Sequence, residues 1–185
     1  LFPYTTLFRS LFEMGRSSWQ DYDQTKLSAG GGIYPRSSKS IALSAEAKGA
    51  LGIEEDQLSP NELMLAILKA KADLLWFGGI GTYVRASTES NADAGDRAND
   101  AIRITGSEVG AKVIGEGANL GITQLGRVEF AQHGGRINTD AIDNSAGVNS
   151  SDLEVNIKIA LGSLVRDGQM DMPQRNSFLA EMTDE

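Results

Sequence analysis

Residues 112–151, KVIGEGANLGITQLGRVEFAQHGGRINTDAIDNSAGVNSS, gather the side chains of this chain that could do chemistry. Gly115, Gly117 and Gly121 follow a short run ending in Val113 and Ile114, and residues this small let a ligand or another backbone come close. With Asp140 about 20 residues further on, they nearly spell a dinucleotide fingerprint, although one residue too many separates the second and third glycines. Glu116 and Asp140 offer two carboxylates for acid–base work. No sequence feature places them in contact, and capping or ribose contacts suit them better. His133, the single histidine, stands just before Gly134 and Gly135, where a helix dipole favours an imidazole at its end.

The elements that must hold these groups alternate between strand and helix. A strand ends at Gly115, and helical spacing from Thr123 carries Leu125, Val128 and Phe130 until Gly134 and Gly135 stop it. A further strand is expected to run to Asn144. Upstream, Asp73 to Phe77 is a continuous apolar run closed by Gly78, Gly79 and Gly81, the pattern of a parallel strand covered on both faces. Strand, glycines, polar segment, strand, glycines, helix, strand predicts an open α/β sheet with both glycine clusters on the carboxyl rim, where ligands collect. The polar segment 87–100, STESNADAGDRAND, lacks calcium-loop spacing and reads as a solvated helix or loop.

Gly30, Gly31 and Gly32 form a loop, because Ser38 rather than glycine precedes Lys39 and the phosphate-loop pattern fails. Ser44 caps a short helix that Gly52 can close, and Ser59, Pro60, Asn61 and Glu62 spell a capping box. Ser151 and Glu154 spell another, before a stripe of Leu153, Ile157, Leu161 and Leu164 that is expected to pack on the sheet. Pro173 opens a last helix carrying Phe178, Leu179 and Met182, with no cap before the chain stops.

The chain of 185 residues, 41% hydrophobic and 23% charged, is long enough for one globular domain. A net charge of −8 argues against nucleic acid as a partner, no apolar run suits a membrane span, and the absence of cysteine removes thiol chemistry, so a cytoplasmic protein fits best. Residues 1–10, LFPYTTLFRS, resemble the translation of a short-read sequencing adapter and are expected to be a processing scar, with the natural protein extending upstream.

Long segments, among them GGGIYPRSSKSI, LSPNELMLAILKAKADLLWFGGIGTYV, STESNADAGDRANDAIRI and GEGANLGITQLGRVEFAQHGGRINTDAIDNSAGVNSSDLEVNIKI, resemble the large bacterial NAD-dependent glutamate dehydrogenases. The resemblance implies a partial Rossmann-like α/β fold, an open and mainly parallel sheet with flanking helices. Residues 11–170 would be the C-terminal part of the NAD-binding domain, and 171–185 the start of a truncated helical segment. It implies NAD as cofactor, L-glutamate and 2-oxoglutarate as substrates, and a homo-oligomeric full-length protein. Gly115, Glu116, Gly117 and Asn119 resemble the turn beside the nicotinamide half of the cofactor, with Asn144 on a second cofactor turn. Val148 and Ser151 match the substrate side, Ser151 being the serine that helps hold the side-chain carboxylate. Physically, Asn119 and Asn144 can offer amides without adding charge, and Ser151 a hydroxyl at a helix start.

The phosphate-binding glycine turn would lie upstream of Leu11. The family's catalytic lysine and aspartate match nothing here, so no catalytic residue is assigned. Phe77 departs from a family asparagine, and Ala146 from a glycine of the shorter enzymes. The competing reading is a standalone, non-catalytic nucleotide-binding or regulatory α/β module.

Overall fold

The computed structural model describes residues 11, 13–144, 147 and 153–182. Residues 1–10, Val148 and Ser151 lie outside the described residues, and so do the expectations that fall on them. The triple glycine is a loop, and the Gly30 carbonyl accepts from Ser44 Oγ at 2.8 Å. Strand β1 (Ile41–Ala42) pairs antiparallel with β2 (Gln57–Leu58) around helix α1 (Ala45–Leu51), which Ser44 caps and left-handed Gly52 ends as predicted. Helix α2 (Pro60–Lys69) opens on the predicted capping box, with the Ser59 N–H donating to Glu62 Oε2 at 2.8 Å. Ser59→Ala is expected to cost about 1 kcal/mol, read as a lower urea midpoint at unchanged slope. An unchanged midpoint would show that water caps this end equally well.

From there the chain alternates. Strand β3 (Leu74–Phe77) leads to β4 (Val84–Arg85), a short helix α3 (Asn91–Ala94), a 3-10 segment (Arg97–Ile102) and β5 (Ile104–Thr105). Strand β6 (Val113–Glu116), helix α4 (Gln124–Gln132), strand β7 (Arg136–Ile137) and helix α5 (Asp140–Asp143) follow. Strands β3, β6 and β7 form a parallel sheet in that order, with Leu74 opposite Val113 and Phe77 opposite Glu116. Strand β4 pairs parallel with β5, and Val84 bridges to Ile122. Because β3 and β6 run in register, the turns 78–81 and 117–121 leave the same rim, as the α/β reading requires. Leu68, Phe77, Val84, Ile104, Ile114, Ala118, Ile122 and Phe130 make the core.

Four expectations need correction. Strand β3 is covered on one face only: Phe77 is buried, whereas Leu74 and Trp76 on the other face are 55% and 56% exposed. Among the described residues it is the edge strand of its sheet, and its apolar run has one covered face. Helix α4 turns Gly126, Arg127, Glu129 and Phe130 inward and leaves Leu125 and Val128 exposed, because buried ion pairs and hydrogen bonds replace apolar contacts on that face. The third strand stops at Ile137, and Asn144 is instead the C-cap of α5. There the Asn138 side-chain amide donates to Asp143 Oδ1 at 3.0 Å and draws the chain out of the sheet. Finally, helix α6 (Val155–Arg166) packs chiefly on helix α7 (Met172–Glu181) rather than on the sheet, with Leu161 buried and Leu153 exposed. The last helix opens at Met172, one residue before the expected Pro173, which lies in its first turn, and Asp171 caps it.

Candidate functional site

The site stands on the rim formed by the carboxyl ends of β3 and β6. At the end of β6 the chain enters the turn 117–121, whose Leu120 adopts a left-handed backbone, φ 56°, and is 65% exposed. A non-glycine residue pays strain for that conformation, and here surrounding hydrogen bonds enforce it. Leu120 N–H donates to Asp140 Oδ2 at 3.2 Å, and its carbonyl accepts from Thr82 Oγ1 at 2.7 Å. Tyr83 N–H donates to the Gly121 carbonyl at 2.8 Å. The two glycine-rich turns are thereby tied to each other.

Asn119 and Asn144 meet directly: Asn144 Nδ2 donates to Asn119 Oδ1 at 2.6 Å, and Asn144 Oδ1 accepts from Gly147 N–H at 2.9 Å. Both are half-buried, so the paired amides sit at the surface of the rim with unused hydrogen-bonding capacity. The structure thus brings together Gly115, Gly117, Asn119 and Asn144.

Glu116 occupies a different layer. It is fully buried, accepts from Gly121 N–H at 2.5 Å and from Arg127 Nη2, and its own N–H donates to Asp143 Oδ2 at 2.9 Å. Arg127 Nη2 also lies 3.8 Å from Asp140 Oδ1. Burial pushes the Glu116 carboxyl above its ordinary range, against the pull of the Arg127 guanidinium. Glu116 and Asp140 are therefore linked through a common arginine beneath the turn, a relation that no spacing rule could foresee.

The rim has a second bracket. Arg103, buried, donates through Nε to the Thr82 carbonyl at 2.9 Å and through Nη1 to Asp100 Oδ1 at 2.5 Å. Asp96 accepts from Asn99 Nδ2 at 2.6 Å and from Thr82 N–H at 2.8 Å, and these donors hold its carboxyl below the usual range. The polar segment 87–100, with Arg103, thus clamps Thr82, the residue that follows the 78–81 turn. No cluster of three or more metal-ligating side chains occurs among the described residues.

Phe77, at the place where the resemblance expects an asparagine, is buried and stacks on Tyr83, with ring centroids 5.6 Å apart and planes 6° from parallel. It makes an apolar contact rather than a polar one. An apolar cavity of about 300 Å³ beside it is lined by Met64, Ile67, Leu68, Trp76 and the glycines at 78 and 79. His133 is the C-cap of α4, its Nδ1 2.8 Å from the Glu129 carbonyl oxygen. Sequence reasoning missed three residues here: Trp76, Arg127 and Glu129. Arg127 and Phe130 share a face with Thr123, and only the charge of Arg127 on a face otherwise destined inward could have flagged it.

A model of the bacterial NAD-glutamate dehydrogenase catalytic domain matches residues 5–185. The chain belongs to that family. It is 57% identical over 175 residues to the NAD-specific glutamate dehydrogenase of Halomonas elongata, covering 95% of this chain and 11% of that protein. The corresponding protein of Pseudomonas aeruginosa is 59% identical over 174 residues, covering 94% and 11%. That of Mycobacterium tuberculosis is 55% identical over 183 residues, covering 96% and 11%. The chain therefore spans about 11% of the length of the curated relatives it matches. No helix among the described residues is long and apolar enough to cross a membrane.

Proposed function

We propose that this chain is part of the cofactor-binding domain of an NAD-dependent glutamate dehydrogenase, a cytoplasmic homo-oligomer that converts L-glutamate, NAD and water to 2-oxoglutarate, ammonium, NADH and a proton. The observation that carries the reading is the Asn119–Asn144 amide contact, 2.6 Å, held at the carboxyl rim of a parallel sheet in a chain 55–59% identical to NAD-specific glutamate dehydrogenases. When bound, NAD supplies the acceptor carbon for the hydride that leaves the substrate's α-carbon. The chain's own residues position and shield it. Asn119 and Asn144 present amide groups to the neutral, polar edge of the cofactor, and Gly115 and Gly117 belong to the same cofactor turn, their lack of a side chain letting neighbouring groups pack closely against it. Glu116 serves from below by fixing the turn through Gly121 and Arg127.

Val148 and Ser151 are assigned to the substrate side by the family resemblance, with Ser151 supplying a hydroxyl for the side-chain carboxylate of glutamate. In the full-length enzyme, Ser151→Ala is expected to raise the KM for glutamate about tenfold, a size typical of one hydrogen bond to a charged group, with a much smaller change for NAD. Equal losses for both ligands would remove Ser151 from the substrate side. The proposal as a whole is tested by glutamate-dependent NADH formation. The full-length protein is expected to be active and the isolated 185-residue chain inactive, since the lysine and aspartate that move protons match no residue here. Activity of the isolated chain, or nucleotide binding by a full-length protein that never forms NADH, would favour a non-catalytic nucleotide-binding module.

A further inference from the structure

The smallness of Gly115 and Gly117 suggests room for a ligand, yet in the structure a side chain fills that room. A Cβ built on Gly115 would stand 2.4 Å from Trp76 Cε3, and one on Gly117 would stand 2.6 Å from Trp76 Cζ2. Gly115 is the parallel partner of Trp76, so the indole reaches across from the neighbouring strand and lies along the backbone of β6. Two glycines clear a seat for it. Despite that seat, Trp76 remains 56% exposed, and Gly117, on which the ring rests, stands two residues before Asn119 in the turn that follows β6. A ring of this size is ordinarily placed where it buries most of its area. Here the inner face rests on bare peptide and the outer face is exposed.

We propose that the outer face of the Trp76 indole, seated on Gly115 and Gly117, is the platform against which the cofactor's nicotinamide ring rests. This deepens the dehydrogenase reading above and rests on it. The oxidised nicotinamide ring is a cation, and indole is the aromatic side chain that attracts a cation most strongly. The platform therefore holds NAD in its oxidised form more tightly than NADH, whose ring is neutral. The glycines matter twice, since a methyl group on either would lift the indole from its seat.

The experiment uses the full-length dehydrogenase, with NAD and NADH titrated separately by calorimetry and difference absorption recorded during the NAD titration. Trp76→Ala is expected to weaken NAD about tenfold and NADH about threefold or less, so that the ratio of the two constants moves. Trp76→Phe should keep NAD within about threefold of the wild type while losing a long-wavelength charge-transfer band specific to indole and oxidised nicotinamide. If the alanine variant does not fold, the phenylalanine variant and the band decide. An absent band in the wild type, or equal weakening of NAD and NADH in the variants, would leave Trp76 a structural residue and overturn the proposal. A wild-type enzyme that binds neither nucleotide would overturn the dehydrogenase reading itself, a result distinct from normal binding that ignores Trp76.

Discussion

Arg127→Ala is expected to destabilise the folded chain by about 3–5 kcal/mol, the cost of leaving a buried charge without its partner. Glu116 is 0% exposed and Arg127 6%, so water cannot replace the guanidinium once it is gone. The pair itself is not the source of the stability. Burial raises the Glu116 carboxyl even with Arg127 present, and Arg127 Nε is buried without a hydrogen-bond partner, so desolvation outweighs part of the attraction. Removing both charges together is therefore expected to cost less than removing Arg127 alone, and Glu116→Leu with Arg127→Met is the double variant that tests it.

The sign with pH follows from the same geometry. Without Arg127, the carboxyl of Glu116 rises further and takes up a proton on folding in mildly acidic solution, which removes the unpaired charge. The gap between wild type and Arg127→Ala should thus narrow as pH falls from 8 towards about 5. Urea unfolding at several pH values measures it. A gap that stays constant would mean that Glu116 is already protonated in the folded protein, or that water reaches it.

Glu129 is expected to give the second large effect, with the opposite dependence on pH. Its carboxylate accepts from Ser87 N–H at 2.6 Å, Ser87 Oγ at 2.7 Å and Ser107 N–H at 2.9 Å, pinning the segments after β4 and β5 to helix α4. Burial alone would raise the carboxyl, but these donors outweigh it and hold the group at about 2 against an ordinary 4.5. A depressed folded value contributes stability that is fully present above the unfolded value and is lost as pH falls through the folded one. The window therefore runs from about 4.5 down to about 2. The difference corresponds to about 3 kcal/mol at neutral pH. Glu129→Gln should lose most of this at pH 7, because an amide nitrogen cannot accept the serine N–H groups, and should flatten the acid limb of the stability profile. An acid limb of unchanged steepness in the variant would assign it to other carboxylates. Amide exchange at Ser87 and Ser107 should quicken in the same variant, locating the loss at the two loops.

Local chemistry was legible in the chain wherever a structure depends on neighbours in sequence. The Ser59 box, the Ser44 cap and the Gly134 helix stop form as their spacing predicts, and the last helix opens within one residue of Pro173. Each satisfies backbone groups within a few residues, so no distant partner can override it. The alternation of strands, glycines and helix was also enough to place both glycine turns on one rim, since parallel strands joined by crossovers must end on the same side.

Which face of an element turns inward is a different kind of fact. The apolar residues Leu125 and Val128 of helix α4 are exposed, while Arg127 and Glu129 are buried, because partners from Glu116, Ser87 and Ser107 satisfy the two charges there. Residues 11 to 42 positions apart supply those partners, and a pattern of polarity along one segment carries no record of them. The same holds for Trp76, which depends on the register of β3 against β6 to find Gly115 and Gly117. By itself the sequence determined the family, the order of elements and the caps, all of which rest on local composition and spacing. Only the tertiary structure decided that two glycines seat an indole, that Glu116 and Asp140 share an arginine, and that Asn119 meets Asn144, because each relation is made by chain segments that only folding brings into contact.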